Sequence, residues 1–437
     1  HLSLRRQRQM CIRDRSYIRV SPLGETDVLV RFCDGSPAVV AREDVVWILF
    51  DIGEVMYSLL NEEYHGGIPV SIADCSLVQR FYYSLPLVIR RRIQKMMIQR
   101  KVPSKRDRFV TTFPTSLAGT VLKEIFSLSV KSVYSNILQI APWPYPYKSA
   151  FSLTVDVEPS PWVQKSLRRF LDVVSKTSVP VSFSVSAEAL RYIRDLIKEL
   201  KEYEILCHGR THSGVVPYLP YGRVLKSVRD GRKILERVFN ERISGFRSPR
   251  VSRSRRLVQA LEQAGYSYSS TFVDVDYERP SSVGTGVSWN YPFFHFSSGV
   301  LEIPPTAPDG IFPLYMGYSY REMLNFCRAK FAFVRDSGGV YVAVVHPEFL
   351  RGELPYRRLG LLHFWLKEIA EEESLWVARL EDIYQWWYAR SFVSVNNGEQ
   401  GIGLVNCGDR KVENVAVFQG DDLWVVREIY PGQEILL

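Results

Sequence analysis

Ala150-Phe151-Ser152-Leu153-Thr154-Val155 runs straight into Asp156-Val157-Glu158. An apolar run of this length suits a strand buried on both faces, and parallel sheets are where such strands occur. Two more runs end in the same way. Tyr203-Glu204-Ile205-Leu206-Cys207 leads to His208 and His212, and Val340-Tyr341-Val342-Ala343-Val344-Val345 leads to His346. Parallel barrels and open sheets gather strand-end residues on one rim, and that rim carries their chemistry. Two carboxylates and three imidazoles there are the makings of a metal site with a base and an acid.

Outward from these runs, strand and helix patterns alternate between 148 and 390. Helices are expected over Val163–Ser175 and Ala187–Tyr203, a strand over Val181–Val185, and a last helix over Leu380–Ala389. This βαβ arithmetic implies a parallel sheet or barrel. Pro142-Trp143-Pro144-Tyr145-Pro146 reads as a stiff linker, setting residues 16–147 apart as an α/β domain of unknown role. Within that domain Val28–Phe32 reads as a strand and Val45–Leu60 as a helix. Leu87–Arg108 reads as a helix and turn with a basic, solvated face. After Arg390 the apolar period falls to two and turns become frequent, which suggests a small β-sandwich-like module over 391–437.

The first residues read differently. Arg5-Arg6-Gln7-Arg8-Gln9-Met10-Cys11-Ile12-Arg13-Asp14 is what CGT-CGG-CAG-CGT-CAG-ATG-TGT-ATA-AGA-GAC encodes, and that DNA is a transposase adapter of sequencing libraries. Residues 1–15 are therefore expected to be adapter read-through and are set aside, with the natural N-terminus missing. Of the net charge of +9, residues 1–15 carry +4, leaving +5 for the rest. A mildly basic remainder argues against nucleic acid as the partner. Beyond Cys11, five scattered cysteines without CxxC spacing suit reduced thiols and favour a cytoplasmic setting. No uncharged apolar run reaches membrane-spanning length; Val45–Leu60 is interrupted by Asp51 and Glu54.

His208-Gly209-Arg210-Thr211-His212 spaces two imidazoles four apart, and on a helical turn they would share one face. The metalloprotease pattern needs Glu after the first His, where Gly209 stands, so that chemistry is excluded. Gly209 fits a tight turn instead. A third ligand is Glu158 or Asp156; one binds a divalent cation while the other takes a proton from water.

The ordered set of motifs resembles the polysaccharide deacetylases of the nodulation-protein type, carbohydrate esterase family four. Thr154-Val155-Asp156-Val157-Glu158, Cys207-His208-Gly209-Arg210-Thr211-His212, Gly245-Phe246-Arg247-Ser248-Pro249, Gly265-Tyr266-Ser267-Tyr268-Ser269-Ser270 and Val345-His346-Pro347-Glu348 are similar to its five motifs, in order, over about 148–390. The resemblance implies a distorted (β/α) barrel of fewer than eight strands and one divalent metal ion, with zinc expected. It implies Asp156 as base, Glu158, His208 and His212 as metal ligands, Arg247 as the partner of the base, and His346 as general acid. Pro249 and Arg250 fall where that family meets its substrate. The implied reaction removes the N-acetyl group of an amino sugar or polysaccharide.

Three departures from the family pattern matter. Glu158 is a longer acid displaced by one residue from the usual adjacent pair. Arg250 replaces the usual aromatic, which favours an anionic substrate. Ser269 replaces an acid and leaves His346 without its usual partner, for which Asp274 or Glu348 could substitute. The alternatives are a catalytically inactive carbohydrate-binding relative and an amidase or deformylase on another N-acyl group. His65, His295 and His363 read as ordinary core or surface residues, and Cys207 as a buried thiol.

Overall fold

The computed structural model describes residues 28–31, 37–42, 45–48, 52–61, 122–123, 138–275, 286–287, 289–295, 298–308, 320–347, 361–398, 401–419 and 422–437. Residues 1–15, the basic stretch 87–108, His65 and Glu348 lie outside them. Three strands open the chain, β1 (Val28–Arg31), β2 (Pro37–Arg42) and β3 (Val45–Ile48), paired as an antiparallel meander. The helix expected over Val45–Leu60 is thus half strand. The β-branched and aromatic Val45-Val46-Trp47-Ile48 pairs with β2, and the helix begins only at Ile52.

The strand β4 (Leu138–Ile140) precedes the central run, β5 (Ser149–Val157), which is buried along its whole length. There follow β6 (Val181–Val185), β7 (Glu204–Cys207), β8 (Gly245–Phe246), β9 (Tyr268–Ser269), β10 (Phe293–Phe294), β11 (Leu301–Glu302), β12 (Ala307–Pro308), β13 (Val340–Val345) and β14 (Leu375–Val377). Along β11-β9-β8-β7-β6-β5-β13-β12 every described pair is parallel; β10 adds antiparallel to β11, and β14 flanks β5. The two ends of that path are one piece of chain. Ile303 N donates to Ser269 O (2.8 Å) and Thr306 N to Val342 O (3.0 Å), so 301–308 leaves one edge and joins the other. The sheet closes as a distorted (β/α) barrel with seven strand positions, consistent with the expected count below eight.

Alternation along β5 sorts its side chains. Phe151, Leu153, Val155 and Val157 face the helical layer with Leu167 and Phe170, while Ala150 joins Leu206, Tyr268, Val340 and Val342 inside. The helix read over 187–203 is broken into turns at Ala187–Arg191 and Arg194–Leu196 and a single helical turn at Ile197–Leu200. Val163–Val174 and Leu380–Arg390 form close to the expected limits. The Pro142–Pro146 stretch is no free linker: Trp143 is fully buried and its Nε1 donates to Gly338 O (2.7 Å).

The Leu380–Arg390 helix plugs the floor of the barrel. Leu380 N donates to Ser182 Oγ (3.1 Å) and Glu381 N to Glu204 Oε1 (3.0 Å), satisfying two donors at its first turn. Tyr268 also donates to Glu204. Burial pushes the Glu204 carboxyl up to about 7, against the hydrogen bonds from Ser182 and Tyr268. An acid raised on folding binds its proton more tightly in the native state. Its contribution is present below its unfolded value and is lost as pH rises through 7. The parent is therefore expected to lose on the order of 3 kcal/mol relative to Glu204→Gln between pH 4.5 and 8. Urea melts of both proteins across that range check this; parallel profiles would reject it.

Beyond the plug, β15 (Val393–Gly398), β16 (Gly401–Asn406), β17 (Val412–Gln419), β18 (Asp422–Ile429) and β19 (Glu434–Leu436) form two three-stranded sheets, β15-β16-β19 and β18-β17-β4. The second recruits β4 from before the barrel. No helix among the described residues is long and apolar enough to cross a membrane.

Candidate metal and acid–base centre

The rim at the ends of β5, β7, β8 and β13 brings the sequence-singled residues together. Asp156 sits within β5 and Glu158 one residue past it, both directed to the same side by strand alternation. His208 follows β7, Arg247 follows β8, and His346 follows β13. His208 and His212 meet through a loop and not a helical turn, with ring centroids 5.3 Å apart. The bend is made by Gly209 at φ +79°, where a Cβ would also lie 3.2 Å from Pro249 Cγ. Only glycine meets both demands without strain. Behind the loop Gly231 of the Tyr221–Phe239 helix lets that helix approach Arg210 N and Cys207.

Glu158, His208 and His212 offer ligand atoms all within 4.8 Å of one another, the one such cluster among the described residues. Glu158 Oε1 lies 3.0 Å from His212 Nε2. His208 Nδ1 lies 3.0 Å from Arg247 O, and a carbonyl only accepts, so Nδ1 carries the proton and Nε2 presents its lone pair. Burial pushes that imidazole down to about 4, so it is neutral near pH 7. The Nε2 atoms of both histidines are buried and make no aligned hydrogen bond, that of His212 meeting only the Glu158 carboxylate. Two orphaned imidazole nitrogens facing a carboxylate fit a divalent cation that takes N and O donors.

Asp156 stands beside this cluster. Its Oδ1 accepts from Arg247 Nη1 (2.9 Å), and its Oδ2 lies 3.9 Å from His208 Nε2 and 4.0 Å from His346 Nε2. Burial works to raise the carboxyl, but Arg247, His208 and His346 together hold it below its ordinary value. Arg247 is fully buried and spends three further donors on Thr154 Oγ1 (2.7 Å), Ser270 O (2.9 Å) and Ser270 Oγ (2.8 Å). His346 Nε2 lies 3.5 Å from Glu158 Oε1. Burial likewise opposes ionisation of Glu158, yet His212 and His346 hold it well below its ordinary value.

Pro249 packs on Gly209, and Arg250 holds a left-handed backbone (φ 60°, ψ 25°) followed by Val251 at φ 45°. Two consecutive side-chain-bearing residues at positive φ cost about 1–3 kcal/mol each, a strain found where a site fixes its backbone. Arg250 Cδ lies over Gly214, two residues past His212. Ser269 is buried, its hydroxyl donating to Thr271 Oγ1 (2.9 Å). Asp274 pairs with the buried Lys330 and accepts from Val275 N (2.7 Å). Cys207 is buried, with its thiol pushed up to about 11 by burial, which suits an inert side chain.

Sequence reasoning passed over Glu302 and treated His295 as isolated. Glu302 is fully buried and lies 3.2 Å from His295 Nε2. The available signal was an acid inside the apolar run Val300-Leu301-Glu302-Ile303, since a buried carboxylate needs partners.

Residues 146–269 match the sequence model of the polysaccharide deacetylase family. The likeness to that family is confined to this region. The matched region holds Asp156, Glu158, His208, His212 and Arg247, while His346 falls beyond the matched residues. No curated protein matches the chain. Similar solved structures include one assigned as a polysaccharide deacetylase from Mycobacterium smegmatis, 19% identical, covering 57% of this chain and 93% of its own at a TM-score of 0.47. Another, assigned likewise from Pseudomonas aeruginosa PAO1, is 15% identical and covers 57% and 94% at 0.47. The Puue allantoinase structure is 17% identical and covers 57% and 94% at 0.46.

Proposed function

We propose that the chain is a metal-dependent hydrolase that removes N-acetyl groups from an amino-sugar or polysaccharide substrate. One observation carries this reading: an ionised, arginine-anchored Asp156 beside the Glu158–His208–His212 donor set with its two orphaned nitrogens. In this reading those three residues hold one divalent ion, zinc by its preference for mixed N and O donors. The ion supplies Lewis-acid polarisation of the amide and a more acidic water.

The chain's own groups do the rest. Asp156 takes the proton of the attacking water, and Arg247 fixes the carboxylate's orientation by a charge-assisted bond. His346, beside both acids, gives a proton to the departing nitrogen so that acetate and a free amine leave. In this reading a backbone N–H near Arg250 stabilises the developing oxyanion, and the guanidinium of Arg250 favours a sugar bearing an anionic group.

The test is acetate release from N-acetylated oligosaccharides, neutral and uronate-bearing, by chelator-treated protein with and without added Zn²⁺. Zinc-dependent acetate is the expected result. Sugar binding without acetate would favour the catalytically inactive relative instead, and formate released from N-formylated counterparts that are offered in parallel, with no acetate from the N-acetylated ones, would move the acyl assignment.

A further inference from the structure

We propose that Glu302 is a positioning residue for this centre, acting through the 269–272 segment; this rests on the hydrolase reading above. Glu302 lies on β11, within the run that closes the barrel, and contacts neither the base nor the proposed ligands in any hydrogen bond described. Its Oε1 accepts from both Thr271 N (2.5 Å) and Phe272 N (2.9 Å), and its Oε2 faces His295 Nε2 at 3.2 Å. One fully buried carboxylate therefore clamps two consecutive backbone donors that no strand pairing satisfies.

The clamped segment is the seat of the centre. Thr271 Oγ1 accepts from Ser248 N (3.0 Å), and Ser270 offers both its carbonyl and its hydroxyl to Arg247. Arg247 in turn anchors Asp156 by its Nη1 and orients His208 by its carbonyl. Glu302 thus stands two steps behind both the base and a ligand. Its geometry is set by reach: the carboxyl must span from β11 to two amide nitrogens on one side and an imidazole on the other. The neutral glutamine has the same reach and the same acceptor oxygen, while aspartate keeps the charge and is one methylene short.

Three variants separate the possibilities. Glu302→Gln is expected to retain kcat within about threefold of the parent. Glu302→Asp and Glu302→Leu are expected to lose about tenfold or more in kcat per folded molecule, with KM little changed. They should also weaken Zn²⁺ binding by about tenfold, because the tautomer and aim of His208 depend on Arg247. The zinc titration by calorimetry does not require turnover. If the parent releases no acetate, the hydrolase reading falls while the zinc arm still judges Glu302. If the parent is active and Glu302→Asp matches it in both kcat and zinc affinity once corrected for folded fraction, the positioning role is overturned. Loss in Glu302→Gln with Glu302→Asp at the parent's level would overturn it too, because charge and not reach would then matter. Should Glu302→Leu fail to fold, the Gln and Asp pair still decides.

Discussion

Asp156→Asn is expected to fold, to keep its metal and to lose about 10²–10⁴-fold in kcat. The amide preserves the shape and the acceptor that meets Arg247 Nη1 at 2.9 Å, but it cannot take a proton from water. The donor atoms that come together for an ion are those of Glu158, His208 and His212, and Asp156 is not among them. Metal content should therefore be insensitive to the substitution. Stability will not be. Arg247 is fully buried, and taking away the one carboxylate at its guanidinium among the described contacts leaves a buried cation held by neutral acceptors. Removing one partner of such a pair costs about 3–5 kcal/mol, so kcat must be referred to folded protein. Acetate release, metal analysis and a thermal melt on one preparation are sufficient. A variant that loses its metal would instead show that Asp156 and Glu158 have exchanged roles.

What could be read from the chain alone follows from how far each signal is local. The runs at 150–155 and 340–345 are buried on both faces, so they are continuous in the sequence and announce a parallel sheet. The strands β8 and β9 are two residues each, too short to carry a period, and they are located only by the motif residues that follow them. The closing run 301–308 contains Pro304 and Pro305, which normally argue against a strand. Here Ile303 and Thr306, on either side, make the bonds that join the two edges, and Pro305 needs only its carbonyl, which accepts from Asp274 N. The helix expected over 187–203 is broken between Arg191 and Arg194, and at its start Ala187 N and Glu188 N donate to Gly209 O and Arg210 O of the His208–His212 loop. That constraint comes from another strand end and has no trace in local periodicity. The same holds for Glu302 and Glu204, whose backbone donors Phe272 and Glu381 lie 30 and 177 residues away.

His208→Ala tests the donor set itself and should have the larger effect on metal. His208 is 1% exposed, and it ties the ligand cluster to the arm that holds the base. Its loss removes one nitrogen of three proposed donors, for which a fall in Zn²⁺ affinity of about a hundredfold or more is expected, because even changes behind a ligand cost about 10–100-fold. It also removes the bond to Arg247 O and leaves a void in the barrel mouth, so melting temperature should fall as well. The two effects separate by titration. Excess Zn²⁺ restores metal by mass action but cannot restore the missing bond. Burial pushes the parent His208 imidazole down to about 4, so protons compete for its Nε2 only in acid. Stoichiometric metal retained by His208→Ala at the parent's affinity would remove His208 from the donor set. With it would go the argument that the orphaned nitrogens mark an ion, leaving Asp156 as a base with no acidic water to act on.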